Sequence, residues 1–144
     1  MNIFVVILIG LIGGVAVGLQ SPMAGSMGQR VGGTASSFIV HLGGLIASGV
    51  LLLARGGEKI RDWRMIPPYI FIAGVFGLIL YQCINVTLPR LGSTMTVVLI
   101  IVGQLLMGVL VDHFGWFGVA PRPVDLPRVL GVLILMGGAY LIAR

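Results

Sequence analysis

Five apolar runs, at residues 3–19, 37–54, 68–88, 94–111 and 126–143, dominate the chain, and only the last contains a formal charge, Arg128. Crossing about 30 Å of hydrocarbon as a helix takes roughly 20 mostly apolar residues, with about 17 as the working minimum, and each run meets that length. A soluble fold would have to turn much of this material toward water. The 144 residues carry nine Lys plus Arg and four Asp plus Glu, so 9% are charged where about a quarter is usual. Mean hydropathy is +1.12. Lipid is therefore the solvent for most of the chain. The runs are too long and too evenly apolar for the alternating strands of a barrel. The expected fold is an all-α integral membrane protein, a single domain over 1–144 with five transmembrane helices at about 2–29, 34–54, 67–88, 93–114 and 126–143.

The first run lacks a basic leader and is followed by four more, so it reads as a retained helix rather than a cleaved signal. The net charge of +5 suggests no nucleic-acid partner, because the basic residues sit in short connections and build no face. Arg55, Lys59, Arg61, Arg64, Arg122 and Arg128 fall on one side, against Arg30, Arg90 and Arg144 on the other. Six against three predicts a cytoplasmic N-terminus and an external C-terminus. Trp63, Tyr69 and Trp116 lie near the basic side, at headgroup level.

Two short connections match. Arg30-Val31-Gly32-Gly33-Thr34 and Arg90-Leu91-Gly92-Ser93-Thr94 share R-[VL]-G-[GS]-T sixty residues apart. Each predicts a tight helical hairpin, with Gly as a left-handed C-cap and Thr as the next N-cap, and hints that helices one and two are related to helices three and four.

Polar side chains inside the runs are costly in hydrocarbon and therefore candidates for binding or helix contact. Counted by helical rise, Gln20, His41 and Tyr81 lie roughly 10 to 15 Å deep and Gln104 about 18 Å. Gln82 and Asn85, and Tyr81 and Asn85, share one face of helix three. Pro22, in Gln20-Ser21-Pro22, predicts a broken helix, a feature tolerated at membrane depth beside protein or a wet cavity. Gly10, Gly14 and Gly18, with Gly43 and Gly44 in small-xxx-small spacing to Ala47 and Ser48, predict close helix packing within one chain or between two. On helix four, Gln104, Gly108 and Asp112 align at i, i+4, i+8. Asp112 and His113 diverge by about 100° and cannot form a dyad. No nucleophile motif, paired carboxylates, metal spacing or cofactor loop is present, so no enzyme, catalytic residue, metal or cofactor is expected.

Four segments carry a family likeness: QSPM at 20–23, Ser37-Phe38, LPRLG at 88–92 and GQLLMGVLVDHFGWFG at 103–118. Together they resemble the YdcZ-type branch of the drug/metabolite transporter superfamily over nearly the whole chain. The resemblance implies a five-helix half-unit of the bacterial cytoplasmic (inner) membrane, paired with an oppositely oriented subunit, either a paralogue or itself. It also implies alternating-access transport of a small molecule, with Gln20, Ser21, Pro22, Ser37, Phe38, Gln104 and Asp112 on matching positions. Ala24 and His41 depart from the pattern, where Asn and Gly are common.

An odd number of spans supports pairing independently, because a tandem copy would enter the membrane inverted. The expected function is a secondary transporter subunit for a small organic metabolite or amphiphile, in contact with the bilayer and one partner subunit. Gln20, Ser21, Ser37, Phe38, His41, Tyr81, Asn85 and Gln104 are its candidate substrate contacts, and Asp112 and His41 its candidate coupling groups. The alternatives are a non-transporting membrane scaffold and a channel.

Overall fold

The computed structural model describes residues 2–143, all-α apart from turns and short 3-10 segments; Arg144 of the charge count lies outside the described residues. The chain divides into two compact units, Met1–Arg90 and Leu91–Arg144.

In the first unit, α1 runs Ile3–Val31 and α2 Gly33–Ala54. Asn2 caps α1, its side-chain oxygen accepting from Phe4 N–H at 3.1 Å. At 29 residues, α1 is about 43 Å long, more than the hydrocarbon thickness. It runs through Pro22 without interruption, which corrects the expected helix break. The ring removes one donor, the one Gly18 would have received, whereas a break would unpair several backbone groups in hydrocarbon at several kcal/mol each. Ser21, buried one residue earlier, turns its hydroxyl inward to the Val17 carbonyl at 2.9 Å.

One residue, Gly32, connects α1 to α2. Its φ of 89° and ψ of 149° lie near a region essentially restricted to glycine, not in the left-handed helical region expected of a C-cap. Its N–H returns to Gly28 O at 2.9 Å. With the reversal so tight, Thr34 is already inside α2 and does not cap it. At the other end, Arg55, Gly56 and Gly57 donate N–H groups to the carbonyls of Leu51, Leu53 and Leu52, satisfying the orphan acceptors of a helix end.

Residues 55–72 form the basic connection. Two 3-10 helices, Ile60–Met65 and Pro68–Ile72, lead into α3. The third span was expected to start at 67; its first turns are 3-10, and α-helix begins at Ala73. Trp63 lies edge-on to Phe71 at 6.5 Å, with the Arg64 guanidinium 5.7 Å from its ring centre, an arrangement suited to the headgroup region.

α3 is Ala73–Phe114, 42 residues, and as one rod would reach about 63 Å, twice the hydrocarbon thickness. Gly92, at φ 76° and ψ 172°, is its one non-helical position and separates residues 73–91 from 93–114. Gly32 and Gly92 thus share a backbone state as well as a motif. The match extends to burial: Ser21, Ala24 and Ser36 are buried, and so, sixty residues on, are Tyr81, Ile84 and Thr96.

In the second unit, Gly115 in left-handed conformation (φ 65°) ends α3. A 3-10 turn, Trp116–Gly118, follows, with Trp116 stacked on Phe114 at 5.2 Å. α4, Leu126–Ala143, starts at Asp125, whose Oδ1 accepts from Arg128 N–H at 3.0 Å. Pro127 occupies the first turn, where a missing N–H is harmless. Helices α1, α2 and the stretch Pro68–Phe114 are long and apolar enough to cross a membrane, and the apolar part of α4, Leu126–Ile142, is shorter.

Candidate functional site

The polar residues separate into a bonded cluster in the first unit and an open groove in the second.

The cluster surrounds the α1–α2 turn. Asn85 Nδ2 donates to Tyr81 O at 2.8 Å and to Gly33 O at 3.4 Å. Gln29 Nε2 donates to Asn85 O at 3.3 Å, and Gln82 Nε2 to Thr34 Oγ1 at 3.1 Å. The stripe expected on helix three thus exists, and Asn85 and Gln82 use it to hold the turn. Asn85 Oδ1 is buried and takes no N–H or O–H from any described residue. It backs onto Gly28, where a Cβ would overlap it; only a residue without a side chain admits α3 this closely. Gly25 meets Leu88 in the same way, and Gly77 meets His41 Nε2, 2.8 Å from where a Cβ would sit.

Ser36, fully buried, donates to Ala24 O at 2.8 Å. Two contacts hold His41: its Nδ1 lies 2.7 Å from Ser37 O and its ring is edge-on to Tyr81 at 5.2 Å. A carbonyl can only accept, so Nδ1 carries the proton and the Nε2 of a neutral ring offers its lone pair toward Gly77. Ser37 itself is buried, with Oγ 3.3 Å from Nδ1. Of the expected substrate contacts, Ser21, Ser37, His41, Tyr81 and Asn85 are thereby engaged within this unit. Gln20 and Phe38 are exposed, Phe38 at 69%.

The glycines expected to pack do not do so within the chain. A Cβ at Gly10, Gly14, Gly18, Gly43 or Gly44 would meet nothing within 4 Å, whereas Gly25, Gly28, Gly33 and Gly77 make the close approaches. Small-xxx-small spacing marks a face that can approach another helix, but spacing alone does not say which helix.

The groove lies between residues 93–114 and α4, with a volume of about 580 Å³. Gln104, Gly108 and Asp112, the stripe legible in the sequence, form one wall; Arg128, Gly131 and Leu135 form the other. Arg128 Nη1 lies 3.6 Å from Asp112 Oδ2 and donates to Arg122 O at 3.0 Å. Arg122 was the expected partner of Asp112; its backbone N–H instead bonds the Asp112 carbonyl at 2.7 Å. Arg128, counted with the connection, is in the first turn of α4, where the Asp125 cap places its side chain over the end of α3. The Asp-Leu-Pro-Arg order was the available signal. His113 faces away from the groove residues and accepts Val124 N–H at 3.2 Å. Gln104 is exposed and bonds no described residue. Among the described residues no three His, Cys, Asp or Glu side chains come together as a metal site would need.

A comparison with curated proteins and one with solved structures each found no match. The family model DMT_YdcZ, described as "Putative inner membrane exporter, YdcZ", matches residues 5–141. This agrees with the likeness read from QSPM, LPRLG and the 103–118 segment, and makes the chain a membrane transporter in contact with the lipid bilayer. By that match over almost its full length, the chain belongs to the YdcZ family of inner membrane exporters.

Proposed function

We propose that the chain is one half of a secondary transporter, working with an oppositely oriented subunit, a paralogue or a second copy, to move a small organic metabolite or amphiphile by alternating access. The groove of Gln104, Gly108, Asp112 and Arg128 carries this reading, because it leaves an unbonded amide and a partly exposed ion pair on a membrane-spanning surface. Such groups are expensive in lipid and belong where protein or water meets them. The unpartnered glycine faces of α1 and α2 supply surfaces on which a second subunit can pack closely.

In this reading Gln20, Phe38 and Gln104 contact substrate. Ser21, Ser37, His41, Tyr81 and Asn85 hold the helices that present them. Coupling through Asp112 and His41 would require the Arg128 and Ser37 contacts to open. The scaffold reading draws on the bonded cluster, whose amides and hydroxyls already serve helix contact.

Solute counterflow in proteoliposomes separates the readings. A carrier shows saturable counterflow that Gln104→Leu abolishes while the protein stays folded. A scaffold shows no flux, and a channel shows flux without counterflow. Orientation is tested by labelling Met65→Cys in a Cys83→Ser background. Met65 is 83% exposed in the basic connection, whereas Gly57 at φ 82° would be strained by any side chain. Cytoplasmic labelling alone supports a fixed orientation and a distinct partner; labelling from both sides supports self-pairing.

A further inference from the structure

We infer that the groove of the second unit is a binding site for a single-chain amphiphile with a zwitterionic head; this rests on the transporter reading and assigns its substrate class. The polar end comes first. Asp112 and Arg128 present one carboxylate and one guanidinium 3.6 Å apart, too long for the short charge-assisted bond such a pair forms at its best. Their side chains are 35% and 29% exposed, so both charges remain open to a ligand. The pair is neutral overall. A singly charged head would satisfy one member and leave the other facing a like charge or nothing, whereas a head with adjacent cationic and anionic groups meets both.

The body of the groove is apolar. Leu105, Val109, Val132 and Leu135 line it beyond the ion pair, and Gly108 and Gly131 widen it on opposite walls. Its volume falls in the range of small-molecule sites, roughly 300 to 1,000 Å³. A second apolar depression, reaching Ile134, Gly138 and Ile142 on α4, shares Leu135 with the first. From Arg128 to Ile142 the furrow follows α4 for about 21 Å, the length of one extended chain rather than a compact solute. Direction matters as well. Asp112 is near the end of α3 and Gln104 about 12 Å further along it, so a bound amphiphile lies along the helices with its head at the membrane edge, as it lies in a leaflet. No residue of the second unit approaches Gly108 or Gly131 within 4 Å of where a Cβ would be. The space is therefore available to fill experimentally.

The full chain, purified in an uncharged maltoside detergent, is titrated with lysophosphatidylethanolamine, lysophosphatidylglycerol and an alkylammonium of equal chain length. A two-chain phosphatidylethanolamine serves as the membrane-lipid arm. The zwitterionic single-chain probe should bind at least tenfold more tightly than either singly charged probe. Asp112→Asn should bring it level with the anion, and Arg128→Gln level with the cation. Gly108→Leu, which occupies the groove without touching another residue, should remove binding while leaving thermal unfolding within 2 °C. Equal binding of the two-chain lipid would assign the site to a resident lipid and overturn the single-chain occupant. Equal binding of all heads, or binding unaffected by Gly108→Leu, would overturn the site. Selective binding without counterflow would leave the site standing and remove the carrier; counterflow of another solute, with no head-group preference here, would do the reverse.

Discussion

Gly28→Ala tests whether the Asn85 contact holds the first unit together. Alanine in a helix is ordinarily favoured over glycine by about 1 kcal/mol. Here the added Cβ would overlap Asn85 Oδ1, and Asn85 Cγ would be 2.5 Å away. Asn85 cannot swing aside freely, because Nδ2 is bonded to Tyr81 O and Gly33 O and its carbonyl receives Gln29. Overpacking of this kind costs about 1 to 3 kcal/mol, and loss of the two amide bonds adds about 1 kcal/mol each at membrane depth. Set against the propensity gain, the expected destabilisation is about 1 to 4 kcal/mol. Gly49→Ala, in α2 with nothing within 4 Å of its would-be Cβ, should be neutral or slightly stabilising. The measurement is reversible unfolding in mixed micelles, completed as a double-mutant cycle with Asn85→Ala. Removing the amide should make Gly28→Ala nearly harmless, a coupling of at least about 1 kcal/mol. If Gly28→Ala unfolds with Gly49→Ala, or the two changes add independently, the contact does not hold the turn and the account of the cluster is wrong.

Two further outcomes follow from the backbone and the ion pair. Gly32→Ala and Gly92→Ala should each lower stability by about 1 to 3 kcal/mol, since both positions hold a positive φ with extended ψ; similar losses at both sites in thermal unfolding are expected, and no loss at either would show that the turns are not as described. Asp112→Asn should change stability by less than about 1 kcal/mol, because both partners of the 3.6 Å pair are about a third exposed; a much larger loss would make the pair a structural lock rather than a binding feature.

The spans were legible because hydrocarbon imposes a length and a composition that few other environments require. Polar positions were legible too, since a side chain such as Asn85 or Gln104 stands out in an apolar run. Their roles were not. The partner of Asn85 is a turn more than fifty residues away, and no local pattern distinguishes an amide bonded to a distant carbonyl from one facing a ligand. Pro22 misled for a related reason: its local effect is disruptive, but the environment penalises a break more than a single missing bond. The glycine spacing marked faces capable of close approach; the approach in this chain occurs instead at Gly25, Gly28 and Gly77, which meet Leu88, Asn85 and His41 from distant sequence. Arg128 was hidden by its proximity to Pro127, and only the Asp125 cap carries it into the first turn and over Asp112.

The interruptions at Gly32 and Gly92 each use a single residue, and this leaves the chain no slack at either corner. Neighbouring rods joined so tightly cannot slide lengthwise past one another by even one helical step, because covalent geometry fixes their relative height. Any carrier motion must therefore draw its compliance from residues 55–72 and 115–125, the two stretches long enough to flex, and both belong to the side that carries most of the arginines.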